Sequence, residues 1–258
     1  MSLKRKLLNG IANTIYRIAG ALAPGVYAKD GLISVHNHDF MRDPAFLRAY
    51  ERGVQAIGGK DEYNWHWRIH IGLWAADMAS RIAGDFVECG VNKGFLSSAI
   101  MRRLDWNSTG RKFYLLDTFS GLDPRQVTEA EIRAGALEKN AESLRSNFYV
   151  SGVDGVRANF AEWNNVVIVA GAIPDTLGEV KSEHIAYLHI DMNCAPPEVA
   201  ALTHFWDRLS DGAVVLLDDY AYLGFGEQKR AMDDFARAHG VSICSLPTGQ
   251  GLLLRPPR

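Results

Sequence analysis

Two carboxylates stand side by side in VVLLDDY, residues 214–220, at the end of an apolar run. Val214, Val215, Leu216 and Leu217 do not alternate with polar residues, so the run reads as a parallel strand buried on both faces. Ligands bind outside the carboxyl ends of such strands, which is where Asp218 and Asp219 fall. Adjacent carboxylates raise each other's proton affinity unless a cation or hydrogen-bond donors neutralise them. The pair therefore points to a metal; the alternative is a helix N-cap followed by a surface acid.

A second group surrounds VECGVNKGFLSSAI, where Gly90 and Gly94 occupy the turn between a strand and its helix. Glycines there let a ligand approach the backbone and the N–H groups of the helix start. The spacing is G-x-x-x-G, without the G-x-G-x-x-G expected of a pyrophosphate site. Glu88 ends this strand and Asp117 ends the next; an acid at the second strand end can accept both ribose hydroxyls of an adenosine-bearing cofactor. Without a pyrophosphate fingerprint, S-adenosylmethionine is favoured over NAD.

These residues need a frame. Strand-like runs at 85–89, 112–117, 166–171, 185–191 and 213–219 alternate with helical patterns at 95–104, 196–209 and 227–240, which implies a parallel sheet covered on both faces. Two further runs, VSICSL and GLLLRP, joined by PTGQ, read as a terminal hairpin. The expected fold is α/β: a mostly parallel, Rossmann-like sheet with a C-terminal antiparallel hairpin, resembling class I methyltransferases. Residues 1–70 read as an N-terminal helical extension and 71–258 as the main domain. Within it, the polar stretch 122–165 is too long for an ordinary connection and reads as a lid-like insertion.

Lys and Arg total 28 against 30 Asp and Glu, a formal charge of -2, which gives no electrostatic case for nucleic acid. Cys89, Cys194 and Cys244 are widely spaced in apolar contexts, as expected of reduced thiols in the cytoplasm. Residues 3–22 repeat apolar positions at helical spacing behind a basic start. They read as an amphipathic helix packed on the body or on a second copy, with membrane-surface attachment as the alternative and no stable membrane insertion.

Five blocks in order, GDFVECGVNKG, YLLDTFSGL, VRANFAEWNNVVIVAGAIPDTL, LHIDMN and VVLLDDY, resemble the macrocin O-methyltransferase family over roughly residues 70–255. The resemblance implies a sugar O-methyltransferase of natural-product pathways that uses S-adenosylmethionine and Mg2+. It places cofactor contacts on Glu88, Gly90, Gly94, Asp117, Ser120, Gly171 and Asp175. It places metal ligands on Asp191, Asp218 and Asp219, with Asp191 also the general base, and it points to a homo-oligomer. The partner implied is a small-molecule hydroxyl acceptor. One departure stands out: where the family continues D-G-D-L-Y, this chain reads DMNCAPPE, so Asn193 replaces an acid and Pro196-Pro197 alters the helix entry. The rival readings are N- or phenolic O-methylation, an NAD-dependent oxidoreductase and a non-catalytic cofactor binder.

For the acceptor side, WHWRIH (65–70) offers His66, Arg68 and His70, while Trp65, Ile69, Leu73 and Trp74 share a helical periodicity suited to the core. His36 and His38 in SVHNHDF are weaker candidates. Tyr220 and Tyr222 follow the aspartate pair, able either to stack on an acceptor or to pack beneath the next helix.

Overall fold

The structure, a computed structural model, describes residues 14, 15, 18 and 25–257. The helix expected over 3–22 lies outside these residues apart from Thr14, Ile15 and Ile18. The continuous part opens with an antiparallel pair, β1 (Tyr27–Lys29) and β2 (Leu32–Ser34). Its two-residue turn is Asp30-Gly31, with φ of 48° and 74°, as a tight hairpin turn requires. Helix α1 (Pro44–Ala56) starts on Asp43, which accepts the Ala45 N–H at 3.0 Å, with Pro44 in the first turn. Helix α2 (His66–Ala79) follows.

The alternating part runs β3 (Asp85–Cys89), α3 (Phe95–Arg103) and β4 (Phe113–Asp117). Three short helices, α4 (Glu129–Arg133), α5 (Ala136–Arg145) and α6 (Asp154–Phe160), occupy the polar stretch before β5 (Val166–Ala170). The chain then passes through β6 (Ile185–Ile190), α7 (Ala195–Phe205), β7 (Leu209–Leu217), α8 (Gly226–Ala238), β8 (Cys244–Ser245) and β9 (Gly251–Leu254). The seven strands of the main sheet lie in the order β5-β4-β3-β6-β7-β9-β8. The first five are parallel, and β9 inserts antiparallel between β7 and β8. The mostly parallel sheet with its antiparallel end is as expected.

The apolar runs lack alternation because each face of the sheet has its own core. Phe86, Phe113, Leu115, Tyr187, Val214 and Leu216 face α1, α2, α3 and α6. Their neighbours Val87, Tyr114, Leu116, Leu188, Val215 and Leu217 face α7 and α8. The division at residue 70 falls inside α2, whose Ile69, Leu73 and Ala76 join the first core. The insertion is also split: Val156 and Phe160 of α6 are buried in that core, whereas residues 146–150 line a cavity. Among the described residues, no helix is long and apolar enough to cross a membrane.

Candidate functional site

Strand order runs outward from β3 in one direction and from β6 in the other, so the crevice between their carboxyl ends is the switch point where ligands bind in open α/β sheets. A cavity of about 1480 Å³ opens there. Single small-molecule sites occupy roughly 300–1,000 Å³, so this one has room for a cofactor and an acceptor together. Glu88, Gly90, Asp117 and Gly171 line one half; Asp191, Asp218 and Asp219 line the other.

Asp191 follows the last residue of β6, and Asp218 and Asp219 follow β7, its parallel neighbour. Carboxylate oxygens of the three lie within 4.8 Å of one another. Their charges are not equivalent. Asp218 accepts hydrogen bonds from the Arg68 guanidinium and from Gln250 Nε2, the latter at 2.9 Å. Burial opposes its ionisation, but Arg68, His189 and Gln250 hold its carboxyl well below the usual range. Burial and the neighbouring aspartates push Asp191 well above that range, and Asp219 is pushed up to about 7. Asp219 Oδ2 is buried without a hydrogen-bond partner. Three converging carboxylates, two of them short of positive charge and one with an orphaned oxygen, suit a hard divalent cation that binds oxygen at about 2.1 Å.

Behind the trio lies a polar layer that interrupts the first core. Glu88 and His189 are cross-strand partners on β3 and β6, with Nδ1 of His189 2.9 Å from Oε1 of Glu88. The opposite ring nitrogen is 3.7 Å from Asp218, an electrostatic contact longer than a hydrogen bond. Burial alone would lower the histidine pKa; the flanking Asp218 and Glu88 carboxylates instead raise it to about 10. Arg68 Nε also meets Asp30 of the first hairpin at 3.5 Å, and its guanidinium sits 5.1 Å over the Tyr222 ring.

On the other half, Asp117 is engaged by its own chain. Oδ2 accepts the Val91 and Asn92 N–H groups at 2.7 and 2.8 Å, and Oδ1 accepts that of Phe119 at 2.6 Å. The carboxylate thus ties the glycine turn to the end of β4. Gly90 adopts φ of 92°, and a β-carbon there would stand 1.8 Å from the Asp191 carbonyl oxygen. The glycine lets β3 end against the residue that carries one of the three carboxylates. Gly94, at φ 84°, begins α3, and Gly171 follows β5. The insertion is fastened to the body by several side chains, two of them next to the cavity. Asn92 donates to the Phe148 carbonyl at 3.0 Å and accepts the Val150 N–H at 2.9 Å. Glu131 of α4 accepts the Thr128 and Ala195 N–H groups, both at 2.8 Å.

The family model described as macrocin-O-methyltransferase (TylF) matches residues 74–244, more than half of the chain. The chain belongs to the macrocin O-methyltransferase family. It is 27% identical over 172 residues, 64% of this chain and 62% of the relative, to the 8-demethyl-8-(2,3-dimethoxy-alpha-L-rhamnosyl)-tetracenomycin-C 4'-O-methyltransferase of Streptomyces olivaceus. It is 24% identical to mycinamicin III 3''-O-methyltransferase of Micromonospora griseorubida, covering 62% of this chain and 63% of that one. The chain thus spans just under two thirds of the length of these relatives. The fold is similar to that of the O-methyltransferase NovP, with a TM-score of 0.64 at 22% identity over 85% of this chain and 98% of that chain.

Within the macrocin O-methyltransferase frame, three expected contacts fall outside the cavity: Gly94, where an added β-carbon would meet the Phe160 ring at 2.4 Å, Ser120 and Asp175. The chain turns at Phe119 (φ 50°), which buries its ring and leaves Ser120 exposed; Thr118 and Gly121 of the same block line the cavity instead. Asp175 is exposed as well, on a loop held inward by the buried Ile173 and Leu177. Asn193, the departure from the family pattern, donates from Nδ2 to Asp191 Oδ1 at 3.1 Å. His66 stacks on Tyr50 and His70 on Phe40, while His36 is exposed and His38 is half-buried edge-on to Tyr27; none lines the cavity. Ile69 and Leu73 are core, but Trp74 is 45% exposed. Tyr222 lines the cavity, whereas Tyr220 packs near α8 with its hydroxyl on Asp233 and Lys229. Sequence reasoning missed His189, Gln250, Asp30 and Asn92. Only Asp30 carried a local signal, the Asp-Gly pair of a two-residue turn.

Proposed function

We propose that this protein is an S-adenosylmethionine- and Mg2+-dependent O-methyltransferase acting on a hydroxyl of a small natural product, a sugar or polyol group. The convergence of Asp191, Asp218 and Asp219 on the cavity entered by the glycine turn carries this reading. The Streptomyces olivaceus relative, named for a rhamnosyl-bearing tetracenomycin, supports the acceptor class. When bound, S-adenosylmethionine supplies an electrophilic methyl group, and Mg2+ supplies positive charge for an acceptor oxygen losing its proton.

The chain's own residues do the rest. Gly90, Asn92 and Gly171 shape the cofactor half, and Asp117 works through the turn it anchors. Asp219, Asp191 and Asp218 would hold the cation, with Asp218 fixed in orientation by Arg68 and Gln250. Asp191, at the end of β6 beside the other two carboxylates, would take the proton of the acceptor hydroxyl. The aromatic wall of Tyr63, Trp65 and Phe148 limits water. Three unpaired cysteines accord with a cytoplasmic enzyme.

Calorimetric titration of S-adenosylmethionine, with Mg2+ and after chelation, tests the reading together with mass spectrometry of glycoside acceptors. Binding in both titrations with methyl transfer only in the presence of metal is expected. No binding in either removes the reading.

A further inference from the structure

Tyr149 belongs to the insertion and lines the cavity beside its neighbour Phe148, the two rings 5.2 Å apart. The chain on either side of it is fixed. The Phe148 carbonyl and Val150 N–H are both bonded to the Asn92 side chain. The Phe148 and Tyr149 N–H groups both donate to the Ser143 carbonyl, at 2.9 and 3.1 Å. Lys93 holds the Asn147 carbonyl. Main-chain bonds and a glycine-turn asparagine thus fix the backbone of one tyrosine, whose own hydroxyl makes no hydrogen bond among the described residues.

The surroundings of that hydroxyl say what it faces. Burial raises its pKa, and the charges of Asp191, Asp219 and Asp117 raise it further, so it is a neutral donor at any working pH. Asp117 marks the cofactor half of the cavity; Asp191 and Asp219 mark the metal half. Tyr149 lines the same cavity as both groups, so its phenol can meet a ligand held there. A half-buried, unspent donor on a pre-set backbone is the arrangement that recognises a polar substrate atom at little entropic cost.

We propose that Tyr149 is an acceptor-binding catalytic residue that donates a hydrogen bond to a hydroxyl beside the one methylated, and so orients a polyhydroxylated acceptor against Asp191. The inference rests on the methyltransferase reading above. It explains why the glycine turn carries Asn92: the same turn that shapes the cofactor half also sets the position of an acceptor contact.

The test compares the full-length protein with Tyr149→Phe, using methyl α-L-rhamnopyranoside and its mono-deoxy analogues, alongside titration of S-adenosylhomocysteine. Tyr149→Phe should lose roughly 10- to 100-fold in kcat/KM, mainly through KM, because a hydroxyl-specific site rejects a partner left unpaired. S-adenosylhomocysteine affinity should be unchanged. One deoxy analogue should cost the parent a similar factor but cost Tyr149→Phe little more, which a merely structural role would not produce. Equal kinetics in parent and variant overturn the assignment, as does a loss confined to cofactor affinity, which would place the phenol on the other ligand. A parent that methylates none of the glycosides and does not bind S-adenosylhomocysteine overturns the methyltransferase reading itself; one that binds but methylates none overturns the sugar-acceptor assignment and this inference with it.

Discussion

Replacing Arg68 by Met would remove the positive charge that the protein keeps inside its own acidic cluster while leaving most of the apolar stem. The guanidinium is buried, bonded to the Asp218 carboxylate and to its carbonyl oxygen at 3.0 Å, paired with Asp30 at 3.5 Å, and donates to the Thr248 carbonyl at 3.3 Å. Its loss leaves Asp218 facing Asp191 and Asp219 with His189 as the remaining nearby cation in the polar layer. Breaking a buried pair by removing one partner costs about 3–5 kcal/mol. A unit charge about 4 Å away at an effective dielectric of about 20 gives a similar figure, about 4 kcal/mol. At roughly 2–4 °C per kcal/mol for a chain of this size, Tm should fall by roughly 10 °C in chelator. Magnesium supplies charge to the same carboxylates, so its stabilising effect should be larger in Arg68→Met than in the parent. Scanning calorimetry of both proteins, with chelator and with millimolar magnesium, reads both quantities. A variant melting within about 2 °C of the parent, or gaining no more from magnesium than the parent does, refutes Arg68 as the internal counter-charge.

Other substitutions separate the parts of the site. Asp191→Asn should abolish turnover and leave S-adenosylmethionine affinity near that of the parent; an active variant sinks its role as base. Gly90→Ala should lose upward of about 4 kcal/mol, because the added carbon meets the Asp191 carbonyl at 1.8 Å, backbone against backbone at the end of a central strand. Soluble, active Gly90→Ala protein would contradict that. Glu131→Ala removes the carboxylate half of the Thr128 capping box and the Ala195 anchor, so about 2–3 kcal/mol should be lost. Limited proteolysis should then cut within residues 122–150 faster than in the parent; unchanged cleavage means that the anchor is redundant.

Much of this arrangement was legible in local patterns. Unbroken apolar runs marked β3, β4, β6 and β7 because both faces of a parallel sheet are buried, and the carboxylates at their ends fell where such a sheet opens. Helix α7, entered through Pro196 and Pro197, and the hairpin of β8 and β9 followed from turn residues and periodicity, since each depends only on near neighbours. The polar turn PTGQ was legible as a turn, but nothing in it announced that Gln250 would be fully buried against Asp218. His189 looked like one more residue of a strand, though strand register sets it across from Glu88.

The fold class, the end of the sheet that holds the site and the Asp218-Asp219 pair were readable from the chain alone, while Asp191 joined them through the family resemblance. Those properties are written in short-range patterns of apolar, glycine and acidic residues. Which charges neutralise one another was settled instead by the packing of distant segments. Arg68 meets Asp218 across 150 positions of chain, and Asn92 reaches Val150 across 58. Such pairings depend on strand order, register and the close approach at Gly90, where backbones meet with no room for a side chain, and residues so distant leave no shared local pattern to read.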